Sequence, residues 1–280
     1  MTQYSNPRIP EGINDSDTHP LRSFFGLAAA AVLVALLATA VVAFFGGALA
    51  RYLPYETELN LIAPYAARYP PGAPAIEGYL QGIADRLAPA MALPEGMKIR
   101  VHYVDEPVVN AFATLGGHVA VYRGLLERMP DENTLAMVLA HEMGHAAHRD
   151  PITSLGRGVA LSAAISLVSA GAASSAANGV LGDAGLLTLL SFSRSQEEAA
   201  DEAGVAALAK TYGHAGGAAG TFHILRAAAE EKGASEPPKF LSTHPLTQDR
   251  IDHLAAVIAK GGWPPDGART PLPAQMPRKP

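Results

Sequence analysis

The sequence pairs two histidines with a carboxylate inside one short segment. His141 and His145 stand four positions apart, and Glu142 directly follows the first histidine. In a helix, positions four apart lie on one face about 5–6 Å from each other, so both imidazoles can reach a single metal ion. The carboxylate of Glu142 can then take a proton from a metal-polarised water as that water attacks a carbonyl carbon. The pattern therefore predicts a metal-dependent hydrolytic site.

The ligand types that the chain offers indicate which metal this is. The sequence contains no cysteine, so a metal must be held by imidazole and carboxylate groups. Two histidines with a third protein ligand and one position left for water are the arrangement typical of catalytic zinc. We therefore expect one Zn²⁺ per chain.

Glu197 is the preferred candidate for the third ligand. Glu197 and Asp201 are four positions apart on a predicted helix, so the first can bind metal while the second accepts an N–H from a ligand histidine. Acidic residues also favour the first turn of any helix, so the spacing alone leaves an ordinary charged helix start as an alternative. His148 shares a helix face with His141 but lies roughly 10 Å further along the axis, too far to share one ion.

Two features of the histidine-bearing helix are unusual for a structural helix. Glu142 continues the apolar stripe of Leu135, Val138 and Leu139, and a buried carboxylate is costly unless it has a partner. Gly144 in mid-helix costs about 1 kcal/mol relative to alanine, which indicates close approach of another element. Both features are expected of a helix that lines an active site.

The surrounding sequence predicts a mainly helical α+β domain with a small sheet. Apolar residues at helical spacing, alternating patterns and turn residues mark its elements. Ser193 and Gln196 form a capping-box pattern, and Gly213 would stop the helix that they begin. Helices are predicted over residues 75–87, 130–150, 193–210 and 247–260, and strands over 97–104, 110–114 and 118–122, the last two as a hairpin.

A membrane anchor is predicted near the start of the chain. Residues 24–50 contain no charged side chain, and a helix of this length extends roughly 40 Å, enough for a hydrocarbon layer of about 30 Å. A buried core helix and a signal peptide cleaved after Ala48-Leu49-Ala50 are the alternatives, but the segment is long for a signal core. We therefore expect contact with membrane lipid through residues 24–50.

The location of the domain that follows residues 24–50 is predicted from the way signal anchors and signal peptides direct export. Arginines on the two flanks nearly balance, but a signal anchor and a signal peptide would both carry the C-terminal part across the membrane. We expect a single-pass protein of the bacterial inner membrane with a periplasmic catalytic domain. Residues 157–194 carry one charge between their flanking arginines, on Asp183, and are predicted to pack on protein or lie at the membrane surface, without a further crossing.

The overall charge argues against nucleic acid as a partner. The net charge is -5, the isoelectric point is near 6.0, and lysines and arginines do not cluster into a stripe. We therefore expect no nucleic-acid binding.

Several ordered motifs lie between about Val101 and Leu254. They are Asn110-Ala111-Phe112-Ala113, Gly124-Leu125-Leu126, His141 to His145, Ser193-Arg194 with Glu197 and Asp201, and Ser242-Thr243-His244-Pro245 followed by Arg250. Together these motifs resemble the zinc peptidase family that includes the HtpX heat-shock protease and the CAAX prenyl endopeptidase.

The resemblance implies specific roles for the candidate residues. His141, His145 and Glu197 would be zinc ligands, Glu142 the general base, and Asp201 the support of a ligand histidine.

The resemblance also implies a gluzincin-like zinc peptidase domain, which the single N-terminal transmembrane helix predicted above would anchor; the single span departs from the multi-spanning relatives and from the soluble ones. We assign a tail to residues 1–23, the anchor to 24–50, the peptidase domain to 51–262 and a Pro-rich disordered tail to 263–280.

Substrate binding is expected at a strand edge. Peptidases of this kind bind their substrate as an added strand, and the candidate edge is Asn110, Ala111, Phe112 and Ala113. An ordinary core hairpin is the alternative.

His244 has three possible roles. The family resemblance implies that His244 either stabilises an oxyanion or binds zinc as a temporary fourth ligand that holds the enzyme latent. The residues around it, taken without the resemblance, also allow an ordinary surface histidine. Arg250 is expected to anchor the last helix or the region of Glu197.

The sequence thus predicts a membrane-anchored zinc metalloendopeptidase that acts on proteins or peptides in membrane or envelope quality control. A tethered chaperone-like binding protein and a zinc amidase acting on a non-peptide substrate are the alternatives.

Overall fold

The computed structural model describes residues 20–66, 72–168, 192–230 and 239–278. Helices surround one small sheet, as the α+β prediction requires. The helices are α1 (Pro20–Ala50), α2 (Tyr55–Ala66), α3 (Pro74–Leu87), α4 (Arg123–Leu126), α5 (Glu132–Ala147), α6 (Asp150–Val168), α7 (Arg194–Tyr212), α8 (Ala218–Glu230), α9 (Lys239–Thr243) and α10 (Gln248–Gly261). The strands are β1 (Arg100–Val104), β2 (Ala111–Ala113) and β3 (His118–Tyr122).

The sheet contains the predicted hairpin and one parallel pair. Its strand order is β1-β3-β2, with β2 antiparallel and β1 parallel to β3, so β2 is an edge strand. Gly116 and Gly117 in the turn have φ angles of 69° and 76°, which favour glycine. A Cβ on Gly117 would also come within 2.6 Å of the carbonyl oxygen of Lys98.

Helix α5 crosses the centre of the molecule and is buried from Glu132 to Ala146. It begins at Asp131, whose side chain accepts a hydrogen bond from the Thr134 N–H. It packs against α7 so closely that a Cβ on Gly144 would lie 3.1 Å from the Cα of Ala200. The close approach predicted at Gly144 is therefore confirmed.

The C-terminal end of α5 differs from the prediction. A continuous helix was expected to residue 150, but α5 ends at Ala147 and α6 begins at Asp150. Arg149 between them adopts a φ of 58°, a left-handed conformation that reverses the chain direction. Local patterns do not reveal this break, because it depends on distant contacts of the Arg149 side chain.

The predicted ends of α7 and α10 are confirmed. Ser193 and Gln196 form the capping box of α7, and Gly213 ends the helix in the left-handed conformation. Thr247 caps α10 through its side chain, and Gly262 ends it in the same way as Gly213 ends α7.

Among the described residues, α1 is the one helix that is long and apolar enough to cross a membrane. Its C-terminal end packs on α6, where a Cβ on Gly46 would meet the Cβ of Ala160 and the carbonyl oxygen of Gly156. The predicted packing of the region after Arg157 on protein therefore holds for α6, while residues 169–191 lie outside the described part of the chain.

The prediction that residues 263–280 form a free, disordered tail is wrong for the residues that the structure describes. Glu132 N donates to the Thr270 carbonyl oxygen at 2.8 Å, which gives the start of α5 a partner that its own helix lacks. Leu272 and Met276 are buried in the main core. Two apolar anchors in a proline-rich segment are too few for composition to reveal this docking.

Candidate metal centre

Four buried side chains from three parts of the chain converge at one point. His141 and His145 come from α5, Glu197 from the first turn of α7, and His244 from the segment after α9. One ligand atom from each lies within 4.8 Å of the others. None of the four is more than 4% exposed. The structure thus brings together the three predicted ligands and adds His244 to them.

Two carboxylates orient the two histidine rings so that their Nε2 atoms face each other. The Nδ1 atom of His141 lies 2.9 Å from Oδ1 of Asp201, and the Nδ1 atom of His145 lies 2.8 Å from Oδ2 of Asp150. Since an ionised carboxylate accepts but cannot donate, each Nδ1 carries the proton and each Nε2 presents a lone pair. The two Nε2 atoms are 3.2 Å apart and face the same point.

Asp150 was not among the predicted site residues. It was assigned to the last turn of α5, where its side chain would not reach His145. The break at Arg149 brings it back toward the ligand, and the Gln196 side chain donates to its other oxygen at 2.7 Å. An acidic residue before Pro151 at a helix start was the available signal, but it indicated a helix end rather than a ligand partner.

Arg250 supplies the positive charge behind Glu197 and Asp201. Its Nε and Nη2 donate to the two Asp201 oxygens at 2.8 and 2.9 Å, and its Nη1 lies 2.8 Å from Oε2 of Glu197. Arg250 therefore anchors the Glu197 region, as the sequence predicted. Burial alone would raise the pKa of Glu197, but hydrogen bonds with His141 and His244 outweigh it and hold that pKa well below its usual range.

Glu142 lies beside the ligands and has one oxygen without a hydrogen-bond partner in the described part of the chain. Its side chain is fully buried, Oε2 accepts from the Ala113 N–H at 2.8 Å, and Oε1 has no hydrogen-bond partner. Burial raises the pKa of Glu142 above its ordinary value. A carboxylate with a raised pKa and an open oxygen is suited to accept a proton.

His244 is fully buried, so the surface-histidine alternative is wrong. Its Nδ1 lies 2.9 Å from Oε1 of Glu197 and 3.3 Å from Nε2 of His141, while its Nε2 is 3.6 Å from Oε1 of Glu142. His244 therefore contacts two of the three candidate ligands, Glu197 and His141, and the candidate base. His148, by contrast, is exposed and lies outside this group.

The residues present fit a divalent cation. Glu142, Asp150, Glu197 and Asp201 place four carboxylates in one buried region, and among the described residues in contact with them Arg250 supplies the one fixed positive charge. Buried charges of one sign are costly without a counter-charge. In the described part of the chain, two buried polar atoms that face this region, Oε1 of Glu142 and Nε2 of His244, lack a hydrogen-bond partner. Two imidazoles with one carboxylate match the ligands of catalytic zinc.

The pKa values of the two α5 histidines shift in opposite directions. Burial alone would lower the pKa of His141, but hydrogen bonds to Asp201 and Glu197 raise it to about 10. Burial lowers the pKa of His145 to about 3 and outweighs the hydrogen bond to Asp150. Hydrogen bonds thus favour the protonated form of His141, whereas burial favours the neutral form of His145.

The predicted substrate edge lies next to the cluster but is covered. The backbone groups of Ala111 and Ala113 point away from β3, and the Ala113 N–H binds Glu142. The predicted strand residues Asn110, Ala111, Phe112 and Ala113 are nevertheless buried. Part of the cover is α9, where Phe240 N donates to the Val109 carbonyl oxygen at 3.2 Å.

Two aromatic rings pack against the candidate ligands. Phe192 stacks on His145 with ring centroids 4.0 Å apart, and Phe240 stacks on His244 at 4.6 Å. A cavity of about 20 Å³, large enough for one water, is lined by His141, Asp201 and Arg250 but by none of the other converging side chains. The four converging side chains are at most 4% exposed, so the cluster is covered in this structure.

Comparison with known proteins identifies the matched part of the chain. Residues 74–258 match the model of Peptidase family M48. The putative beta-barrel assembly-enhancing protease of Vibrio cholerae is 34% identical over 190 residues, which is 64% of this chain and 38% of that protein. The metalloprotease YcaL of Escherichia coli is 33% identical over 156 residues, which is 55% of this chain and 59% of that protein.

A mitochondrial relative extends the comparison. The mitochondrial metalloendopeptidase OMA1 of Schizosaccharomyces pombe is 29% identical over 193 residues, or 69% of this chain and 56% of that protein. The chain spans little more than a third of the length of the assembly-enhancing proteases. The region matched by the family model includes the whole buried cluster. The chain therefore belongs to Peptidase family M48, and its matched region is a metallopeptidase domain.

Proposed function

We propose that this chain is a membrane-anchored zinc metalloendopeptidase. His141, His145 and Glu197 would hold the zinc, Glu142 would act as general base, and Asp201 would support His141. One observation carries the proposal: buried histidine nitrogens, oriented by carboxylates, converge with Glu197 beside a buried carboxylate that has an open oxygen. This arrangement supplies both the ligands and the proton acceptor that hydrolysis needs.

The chemistry divides between the metal and the side chains. Zinc, when bound, polarises the attacking water and the scissile carbonyl. Oε1 of Glu142 accepts the proton of that water and later delivers it to the leaving amine. The Ala113 N–H fixes the other Glu142 oxygen at 2.8 Å, so the accepting oxygen stays oriented toward the cluster. Asp201 and Asp150 keep both ligand histidines in the tautomer that presents Nε2.

Substrate is proposed to bind as a strand along β2. The outward backbone groups of Ala111 and the Ala113 carbonyl oxygen would pair with an extended peptide, while the Ala113 N–H continues to hold Glu142, which places the scissile bond near that carboxylate. The same N–H of Ala113 that now binds Glu142 lies on this edge. Unfolded or extended protein segments are therefore the expected substrates.

We assign the chain to the bacterial inner membrane, with α1 as its single span and the peptidase domain in the periplasm. The exposed apolar surface of α1 supports contact with lipid through residues 24–50. The V. cholerae relative is named a putative beta-barrel assembly-enhancing protease, and bacterial transmembrane β-barrels belong to the outer membrane. Its name supports envelope protein quality control as the use of the activity.

The main rival is a tethered chaperone-like protein that binds clients without cleaving them. The buried and oriented carboxylate of Glu142 argues against it, because a binding protein gains nothing from a proton acceptor at this position. An amidase with a non-peptide substrate is disfavoured by the edge strand beside the cluster.

The test separates the base from the ligands. Glu142→Gln keeps the side-chain shape, so zinc should remain bound while cleavage of casein falls by about a hundredfold or more. Glu197→Ala removes a charged ligand, so zinc affinity and stability should both fall. Zinc stoichiometry, casein cleavage and complementation of a deletion strain under envelope stress are measured together. If the Glu142→Gln protein binds zinc and rescues growth like the wild type, proteolysis is not the function.

A further inference from the structure

The segment between the anchor helix and the peptidase domain contacts both walls of the metal centre. One wall is the junction of α5 and α6, which carries His145 and Asp150. The other wall is the β2–β3 hairpin, whose Ala113 N–H binds Glu142. The side chains of Glu58 and Arg149 meet between these walls, 91 positions apart in sequence. We call this pair the Glu58–Arg149 clasp.

Arg149 connects the α5–α6 junction to the end of the anchor. Its Nη1 donates to the carbonyl oxygens of Arg51 and Leu53, both at 2.7 Å. Its Nε donates to Oε1 of Glu58 at 2.7 Å. Carbonyl groups at a helix C-terminus lack partners within the helix and carry partial negative charge, so a guanidinium is well suited to them.

The backbone of Arg149 is held in an unfavourable conformation at the same place. Among the described residues, Arg149 is the non-glycine residue with a positive φ, 58°. A side chain with a Cβ adopts this conformation where surrounding contacts impose it. Here it reverses the chain so that Oδ2 of Asp150 reaches Nδ1 of His145 at 2.8 Å.

Glu58 connects the same guanidinium to the hairpin. Its side chain is 3% exposed, and while Oε1 binds Arg149, Oε2 accepts from the Gly116 N–H at 3.0 Å. The Tyr55 hydroxyl donates to the Gly116 carbonyl oxygen at 2.9 Å. Gly116 lies in the turn between β2 and β3, so α2 holds both backbone groups of one turn residue.

We propose that Glu58 and Arg149 are positioning residues that set the spacing between strand β2 and helix α5. Strand β2 orients Glu142 and offers the edge for substrate, while α5 carries the ligand histidines and Glu142 itself. Because Arg149 also binds the end of α1, the placement of the anchor determines this spacing. The inference rests on the proposed function, since the spacing affects catalysis only if peptides are cleaved between these two elements.

A buried ion pair can also be purely structural, and the chain offers a matched control for that role. Glu132 lies at the opposite end of α5, where its oxygens bind Arg86 at 2.6 Å and the Tyr79 hydroxyl at 2.5 Å. Glu132→Gln and Glu58→Gln therefore remove the same charge from two buried carboxylates that each pair with an arginine. They differ in their distance from the metal centre.

The experiment uses the full chain in detergent, with zinc content, melting temperature, kcat and KM for fluorescein-labelled casein measured for each variant. Glutamine has one acceptor oxygen where glutamate has two, so Glu58→Gln cannot serve both Arg149 and Gly116. Arg149→Gly removes the guanidinium but tolerates the positive φ. We expect both to retain zinc and, below their melting temperatures, to lose about tenfold or more in kcat with a raised KM.

The control and a conservative variant complete the test. Glu132→Gln should lower the melting temperature while the kcat and KM of the folded protein stay at wild-type values. Arg149→Lys keeps the charge but not the planar set of donors, so it should restore part of the activity that Arg149→Gly loses. Amide hydrogen exchange in residues 110–122 should accelerate in Glu58→Gln and not in Glu132→Gln.

Two failures remain distinguishable. If the folded Glu58→Gln and Arg149→Gly proteins show wild-type kcat, KM and hairpin exchange, the clasp is structural and the inference is wrong. Failure of the proposed function would instead appear as a wild-type protein that binds zinc but cleaves no casein, whatever the clasp variants do.

Discussion

The carboxylates behind the two α5 histidines decide how those rings present their nitrogen atoms. Asp150 accepts from His145 on one oxygen and from Gln196 on the other. Asp201 accepts from His141 while Arg250 binds both of its oxygens. Neither carboxylate belongs to the converging group, yet each fixes a tautomer on which that group depends.

Asp150→Asn tests this dependence. Gln196 donates a hydrogen bond to one of the two Asp150 oxygens, so the asparagine oxygen should occupy that position and its NH₂ group should face Nδ1 of His145. This contact favours the His145 tautomer whose Nε2 is protonated, and a protonated Nε2 cannot bind metal. We expect zinc affinity to fall by about ten- to a hundredfold, measured by competition with a chromophoric chelator. Asp249→Asn, in an exposed pair with Arg194, serves as the control and should bind zinc like the wild type. Equal affinity in both variants would contradict the role of Asp150.

His244 offers a prediction whose sign identifies its role. Its Nδ1 lies near Glu197 and His141, both candidate ligands, so we expect it to cover the metal in the latent enzyme. His244→Ala should then raise casein cleavage. If His244 instead stabilises the oxyanion, the same variant should keep its zinc and lose about 10²–10³ in kcat. Rates are compared at equal zinc occupancy.

The two ends of α5 depend on segments from distant parts of the chain. At its start, the backbone of Glu132 pairs with Thr270 in the C-terminal segment. At its end, the break at Arg149 leads into α6, which packs on the anchor helix. Helix α5, which carries His141, Glu142 and His145, is thus held at its start by the C-terminal segment and at its end by α6.

Truncation after Gly262 measures the contribution of the C-terminal segment. It removes two buried apolar side chains, Leu272 and Met276, each contributing about 1.5–3 kcal/mol. We expect the melting temperature to fall by roughly 6–12 °C, as followed by circular dichroism. A chain ending at Pro277 keeps both anchors and is the control. A truncated chain that melts with the control would restore the interpretation of a free tail.

The molecule as a whole combines an exposed apolar helix with a buried candidate metal centre on one chain. Most of the described α1 side chains in the candidate span are exposed, as expected for a helix surrounded by lipid, and the buried positions Gly47 and Ala50 lie at the end that packs on α6. With α1 as the proposed membrane span, this packing would place the peptidase domain close to the membrane surface, where the proposed substrates would be found.

Orientation across the membrane is tested with intact cells. Because a signal anchor of this kind exports the chain on its C-terminal side, protease added to spheroplasts should digest the part of the chain after Arg51. A cytoplasmic marker protein that stays intact controls for lysis. Full protection until the spheroplasts are lysed would reverse the proposed orientation.

The sequence by itself determined the features that depend on near neighbours. The spacing of His141 and His145, the capping box at Ser193 and the glycine stop at Gly213 each involve residues within a few positions of one another. Helical and strand periodicities are local in the same way, so the hairpin and the main helices were predictable. The motif order also predicted the family to which the chain belongs.

Tertiary structure alone decided how these elements meet. Asp150 reaches His145 because Arg149 takes a left-handed conformation, and that conformation is stabilised by Glu58 from 91 positions away. The C-terminal segment docks at Thr270 because the first N–H groups of α5, far earlier in the chain, have no acceptor within their own helix. Contacts at such separation leave no periodic trace in the sequence, since each depends on a few atoms that only the folded chain brings together.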